Sequence, residues 1–397
     1  MHANRLLVIA HTYSNFVKGQ TDELARDYQE VTIMVRLNPF AEFYRFLPFH
    51  YLKPYTKTTR IDHYRQPPNV NVVPTPLWYI PLDNTYKKLG LKHFEKVEKF
   101  LKNSKSSYDF VHSHFTWSAG YVGARLKEKY KIPFIVTAHG FDIYSLPFQD
   151  DEWRENIEYV LNTADAIITV SHSNRDCINR LQVTTPVTVI PNGFRNDMFY
   201  PSDMHECRRM LNLPRDKKIL LCVGYLETDK GHKYLLDAVR IIVKERNDIL
   251  CVLIGDGMLR TTLERQVHSL GLEKFIMIVG EKRHDEIPCW MNASDIFVLS
   301  SLNEGNPTVM FEALGCGIPF VGTSVGGVPE VISSKDYGLL SKPANPQMLA
   351  EKIMEALEVQ WDRQKIVDYA QRFTWRNIAG EIIKIHQNVA GSSTTKF

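Results

Sequence analysis

Two glutamates, Glu304 and Glu312, bracket the residues Gly305, Asn306, Pro307 and Thr308 in the stretch SSLNEGNPTVMFEALGCG (300–317). The apolar run DIFVLS precedes them and reads as a buried strand. Pro307 suits the first turn of a helix, because the N–H it lacks is one that a helix start leaves unpaired. Gly305 lets a bulky group approach the backbone closely. The helix start offers free N–H groups and about half a positive charge, which favours phosphate oxygens. Carboxylates do not bind phosphate, so the two acids would face hydroxyl groups on the same ligand. The plain alternative is that both are ordinary helix-start acids.

Other turns share this style. In LCVGYLETDKGHKYLLDAV a strand ends at Gly224 and Tyr225, and Lys230 and Gly231 open a helix, a second phosphate-facing arrangement. IVGEKRHDEIPCWM places Gly280 and Lys282 at another strand end, and GTSVGGVPEVI supplies a further flexible turn. In the first half, VHSHF and TAHGFD end strands with histidines. His112 and His114, two residues apart, share one face of a strand and read either as part of a metal site or as buried structural residues. His139, followed by Gly140 and Asp142, reads as a hydrogen-bonding residue lining a cleft, or again as a buried histidine. No D-x-D occurs, so a metal–diphosphate route is not indicated.

These residues need strands and helices to hold them. RLLVIA, EVTIMVR, YDFVHSH, PFIVTAH, AIITVS and VTVIPNG are strand candidates in the first half. KILLCVG, ILCVLIG, FIMIVG, DIFVLS and PFVGTS repeat the arrangement in the second, with amphipathic stretches between. Continuous apolar strands separated by helices imply parallel sheets covered on both faces. A polar segment punctuated by Pro201 and Pro214 puts the boundary near residue 196. Each half is then a doubly wound α/β domain that binds ligands beyond the carboxyl ends of its strands, the two facing each other across a cleft.

The length of 397 residues agrees with two domains, and the 44% hydrophobic and 23% charged content is that of a globular protein. A net charge of +3 implies no polyanionic partner, and nothing supports nucleic acid. Residues 36–105 are different, with 13 Lys and Arg against 5 Asp and Glu and 13 of the 44 aromatics. That stretch reads as a partly buried aromatic insert with solvated lysines, or as a surface for an anionic membrane or a lipid-linked acceptor. The six cysteines form no C-x-x-C pair and point to a reduced, cytoplasmic compartment, with peripheral attachment to the inner membrane face as a variant. The first apolar run is too short for a signal peptide or a membrane span.

Glu304 to Glu312 matches the E-x7-E pattern of retaining glycosyltransferases of the GT-B fold, in the class called family 4 or group 1, and the chain resembles that family over nearly its whole length. VGYLETDKG, IGDG, EGNPTVMFEALGCGIPFVGTSVGGVPEVI and YGLL carry the likeness in the second half, and DFVHSHF, TAHGFD, ADAIITVS and VIPNGFRNDMFYP in the first. The wording EGNPTVMFEALGCG is similar to members that build surface polysaccharides. The resemblance implies an acceptor-side domain over 1–195, a nucleoside-diphosphate-sugar domain over 196–374, and a helix over 375–390 that returns to the first. It implies that Glu304 contacts the donor sugar, that Glu312 takes the ribose hydroxyls, and that Gly305, Asn306, Pro307, Thr308 and Lys230 meet the diphosphate. Gly224 and Tyr225 would border it, Gly280 to Arg283 the base, and His139 would steady the sugar or the leaving group. The acceptor would be a glycan or a lipid-linked molecule, attack would come from the departing face, and no metal or other cofactor would be required.

Two positions depart from the family. Tyr225 stands where an arginine is usual, and a phenol cannot neutralise a diphosphate; either Lys230 and the helix start suffice, or another cation such as Arg195 substitutes, or donor affinity is weak. The glycine pair after the first strand is missing, since HTYSNFVKGQTDEL keeps only Gly19. A sugar-nucleotide epimerase or hydrolase of the same fold is the alternative enzyme, and a silent sugar-nucleotide-binding protein the alternative outside catalysis. An oxidoreductase is disfavoured, because no G-x-G-x-x-G follows RLLVIA.

Overall fold

The structure, a computed structural model, describes residues 5–45, 52, 55–80, 82–104 and 107–394. The chain divides into two compact units, Met1–Asn192 with Trp375–Phe397, and Gly193–Thr374.

The first unit holds a seven-stranded sheet, all of whose pairings are parallel. Its strands are β1 (Arg5–Ala10), β2 (Glu30–Leu37), β3 (Val70–Pro76), β4 (Phe110–His114), β5 (Phe134–Ala138), β6 (Ala166–Thr169) and β7 (Val187–Val189), in spatial order β3-β2-β1-β4-β5-β6-β7. Helices α1 (Asn15–Leu24), α2 (Leu89–Ser104), α3 (Tyr121–Tyr130) and α4 (Asp151–Thr163) lie between strands. Side chains alternate across each strand, so Leu7 and Ile9 join one apolar layer and Leu6, Val8 and Ala10 the other. Burial on both faces is why these strands read as unbroken apolar runs.

The second unit repeats the plan with six parallel strands. They are β8 (Lys218–Val223), β9 (Ile249–Ile254), β10 (Ile276–Gly280), β11 (Ile296–Leu299), β12 (Phe320–Thr323) and β13 (Gly338–Ser341), ordered β10-β9-β8-β11-β12-β13. Helices α5 (His232–Ile242), α6 (Arg260–Ser269), α7 (Thr308–Gly315) and α8 (Pro346–Glu358) cover it. The last helix, α9 (Trp375–Thr394), belongs to the first unit. In both sheets the chain order reverses beside the central strand, between β1 and β4 and between β8 and β11. Such reversals open a crevice beyond the strand ends.

Two sequence expectations need correction. Gly19 is not in a loop after β1 but inside α1, where a Cβ would lie 2.2 Å from the indole of Trp375; it lets α1 pack on α9. Pro307 lies one residue before α7, with extended backbone (φ −72°, ψ 120°) that turns its carbonyl to the Met310 N–H at 3.2 Å. All six cysteines are free thiols, and burial pushes that of Cys222 up to about 12. Among the described residues no helix is long and apolar enough to cross a membrane. In the basic, aromatic stretch 36–105, residues 46–51, 53, 54, 81 and 105 lie outside the described residues.

Candidate active site

In the second unit the loops after β8 and β11 meet at the reversal point. Leu302 N–H donates to Asp229 O at 2.7 Å, and the Ser300 hydroxyl to Lys230 O at 3.0 Å. Gly231 sits in the left-handed region (φ +61°), and a Cβ there would lie 2.1 Å from Ser300 O. Only glycine allows this approach. It brings Lys230 Nζ to 2.7 Å from Glu304 Oε1, which also accepts the Ser301 hydroxyl at 2.7 Å. The Glu304 side chain is 8% exposed and that of Lys230 27%. Lys230 and Glu304, 74 residues apart in sequence, are thus one polar pair.

The GTSVGGVPEVI turn backs this pair. Gly327 N–H donates to Gly305 O at 2.9 Å, and a Cβ on Gly326 would lie 1.7 Å from Glu304 O. Thr323 Oγ1 donates to Ser301 O at 2.6 Å. Asn306 and Pro307 are buried and Thr308 half-buried, so the loop is a fixed wall leading into α7.

Within α7, Glu312 has a partner of its own. Its Oε1 accepts from Nε2 of His284 at 2.8 Å, and its side chain is buried. A buried carboxylate is costly without such a donor. The His284 ring leans on Phe199, with centroids 5.2 Å apart. His284 was not assigned a role from sequence, although it stands in the quoted IVGEKRHDEIPCWM turn; 28 residues separate it from Glu312.

The ends of β8, β9 and β10 are stitched by backbone bonds, Gly224 N–H to Ile254 O at 2.9 Å and Gly255 N–H to Gly280 O at 3.0 Å. Tyr225 is 44% exposed, and its carbonyl accepts from His232 Nε2 at 3.0 Å. Nδ1 of His232 lies 3.7 Å from Cys222 Sγ, and burial keeps this imidazole neutral. Lys282 is half-buried just beyond β10. Arg195 is engaged with Asp197, Nη2 to Oδ2 at 2.7 Å and Nε to Oδ1 at 3.1 Å.

In the first unit His139 directly follows β5 and is buried. Its Nε2 lies 3.0 Å from Nδ1 of His114, the two rings stacked at 5.2 Å, and its Nδ1 has no protein partner. Asp142 shapes this turn by accepting N–H bonds from His139, Gly140 and Thr116 at 3.2, 2.9 and 2.8 Å. Burial lifts its carboxyl against the pull of those donors. The metal reading of His112 and His114 does not hold. His112 has both ring nitrogens engaged, Nε2 with Thr137 Oγ1 at 2.7 Å and Nδ1 with His386 Nε2 at 3.2 Å. Among the described residues no group of three or more His, Cys, Asp or Glu is placed to hold a metal ion.

Comparison with known proteins agrees with this plan. Residues 203–373 match the family model described as glycosyl transferases group 1, and residues 14–197 that of glycosyltransferase family 4. The chain is 28% identical, over 68% of its length and 67% of the relative, to TuaC of Bacillus subtilis, a glycosyltransferase provisionally assigned to teichuronic acid biosynthesis. Sucrose-phosphate synthase from Thermosynechococcus elongatus shares the fold, with a TM-score of 0.80 at 22% identity over 98% of this chain and 100% of that one. Anabaena HepE, solved in complex with UDP, does so with a TM-score of 0.74 at 22% identity over 97% and 100%. The chain belongs to the group 1 glycosyltransferases, with the two-domain Rossmann-like GT-B fold.

Proposed function

We propose that this enzyme moves a sugar, with retention at the anomeric carbon, from a nucleoside-diphosphate sugar to a glycan or lipid-linked acceptor in the synthesis of surface polysaccharide or a glycoconjugate. The Lys230–Glu304 pair at the β8/β11 reversal carries the reading, because it joins a cation for phosphate to a carboxylate for sugar hydroxyls at 2.7 Å. The donor diphosphate would lie on Gly224, Tyr225, Lys230 and the Gly305–Thr308 wall, and Glu304 would hold the sugar. Glu312 would take the ribose hydroxyls and Gly280 and Lys282 would border the base. His139, whose Nδ1 is buried without a partner, would be the second catalytic group, hydrogen-bonding the sugar or the leaving oxygen.

The acceptor hydroxyl attacks from the side that the diphosphate leaves, and the leaving phosphate takes its proton. Stabilising that leaving group is then the main catalytic contribution, where one donor is worth about 3 kcal/mol. Lys230 and the start of α7 supply positive charge there, so the reaction is assigned no metal. TuaC, named for teichuronic acid biosynthesis, and HepE, solved with UDP, support the substrate class.

Calorimetric titration with UDP, GDP and ADP tests the reading, with Lys230→Ala as control. Selective binding of one nucleotide that the control loses supports it and fixes which activated sugars to assay. No binding of any would favour a silent site marked by Tyr225.

A second surface fits the acceptor's setting. Trp78 is 62% and Leu91 51% exposed, beside a depression of about 420 Å³ lined by Pro76, Leu77, Trp78, Lys92, Glu95, Lys96 and Lys99. One exposed ring and one exposed leucine beside the lysines of α2 suit the headgroup region of an anionic bilayer. This face would place the enzyme peripherally on the cytoplasmic side of a membrane.

A further inference from the structure

Building on the reading that the first unit takes the acceptor, we propose that Arg36, His93 and His11 form a binding site for an oxyanion that the acceptor carries. Arg36 lies near the carboxyl end of β2, His11 directly follows β1, and Ser118 follows β4. They therefore gather at the β1/β4 reversal, where open parallel sheets bind ligands.

Arg36 is 9% exposed, with the rings of Tyr79 and Tyr86 at 5.6 and 5.5 Å. Its Nη1 donates to Ser118 Oγ at 3.1 Å. Among the described residues no carboxylate pairs with it; against the cost of burial it has the phenols of Tyr86, Tyr79 and Tyr55, that of Tyr86 also through a side-chain hydrogen bond. Other buried cations here have acids: Arg208 meets Asp295 at 2.7 Å, and Lys87 meets Asp83, Asp150 and Glu152. A buried guanidinium without a counter-charge is expensive to hold.

The two histidines point the same way. Nδ1 of His93, which is fully buried, lies 2.9 Å from the Ser118 oxygen that Arg36 engages. If Ser118 gives its proton to that Nδ1, the neutral imidazole carries its own proton on Nε2, which is buried and has no partner. His11 stacks on Phe115 at 4.7 Å, and its Nε2 is likewise buried and unpartnered. Besides burial, the cations Arg36 and Arg60 bear on His11. An oxyanion supplies the missing negative charge, accepts from the Nε2–H of His93 and selects the His11 tautomer that carries its proton on Nε2. Phosphate and carboxylate share that chemistry.

The test uses the full-length protein saturated with UDP, so that the diphosphate-facing loops are occupied. Inorganic phosphate and then acetate are titrated by calorimetry at constant ionic strength. One of them is expected to bind, about tenfold more weakly in Arg36→Lys, which keeps the charge and loses the fork, and not detectably in Arg36→Met. His93→Asn keeps the Ser118 contact and removes Nε2, so it is expected to weaken binding and serves should Arg36→Met not fold. Preference for phosphate assigns a phosphorylated acceptor, and preference for acetate an acidic sugar. Failure of both anions to bind the wild type, or undiminished binding in Arg36→Met or His93→Asn, overturns the site. Intact UDP binding in that case leaves the functional reading standing. Loss of UDP binding with Arg36-dependent phosphate binding retained overturns the functional reading alone.

Discussion

Glu304 accepts both of its bonds, from the Lys230 ammonium and the Ser301 hydroxyl, through the single oxygen Oε1, each at 2.7 Å. The carboxylate is fixed in direction by one oxygen, and neither of these donors engages the other.

Glu304→Gln preserves an acceptor for Lys230 and Ser301 while removing the charge. Fold and nucleotide affinity are expected to persist, and turnover to fall by on the order of a hundredfold. Steady-state kinetics beside a nucleotide titration checks this. Unchanged turnover would reduce Glu304 to a helix-start acid.

The His284–Glu312 bond holds a buried carboxylate in place. His284→Ala is expected to cost about 1–3 kcal/mol in urea unfolding, because Glu312 loses its charge-assisted donor. His284→Gln, which places an amide N–H near the Nε2 position, is expected to recover part of it. An alanine variant as stable as the wild type would show that the pair is incidental.

Acid should act first on the first unit. Burial holds His93, His112 and His139 near 3, and His11, His114 and His386 well below their usual value. Unfolded, each titrates near 6.5, so between about 3 and 6.5 the unfolded chain binds more protons. Their neutral-state stability is therefore present above about pH 6.5 and lost as pH falls, by up to about 1.4 kcal/mol per histidine per pH unit. The second unit contributes His232 to the same effect. Urea midpoints measured at about pH 7.5 and 5.5 are expected to drop sharply. Equal midpoints would contradict the buried, neutral histidines.

Binding to anionic vesicles is expected at low salt and should weaken steeply as salt rises, since exposed lysines act through a screened field. Lys92→Glu combined with Lys96→Glu should abolish it. Absence of vesicle binding at low salt would remove the membrane surface from the account.

The central strands were legible because burial on both faces leaves a continuous apolar run, as in RLLVIA and ILCVLI. The edges were not. β3 contains Pro74 and ends at Pro76, and β13 is only GLLS; neither carries a strong strand pattern, because an edge needs pairing on one side alone. Glu304 and Lys230 each stood at a recognisable turn, yet their 2.7 Å contact depends on the β8/β11 adjacency, which no spacing encodes. His284 and Arg36 were missed for the same reason, since their meaning comes from partners, or missing partners, far away in sequence. Gly19 misled because a glycine after a first strand resembles a loop residue, whereas here the Trp375 indole fills the space.

The prolines of β3 also decide what can dock beside them. Pro74 and Pro76 offer no N–H to a further strand, so this rim of the first sheet is poorly suited to extension by another chain's backbone. The rim runs directly into Pro76, Leu77 and Trp78 beside the lysines of α2. Whatever meets the protein there must be recognised through charge and ring contacts rather than strand pairing. A surface built this way tolerates a fluid, chemically repetitive partner and resists the edge-to-edge association that exposed sheets invite.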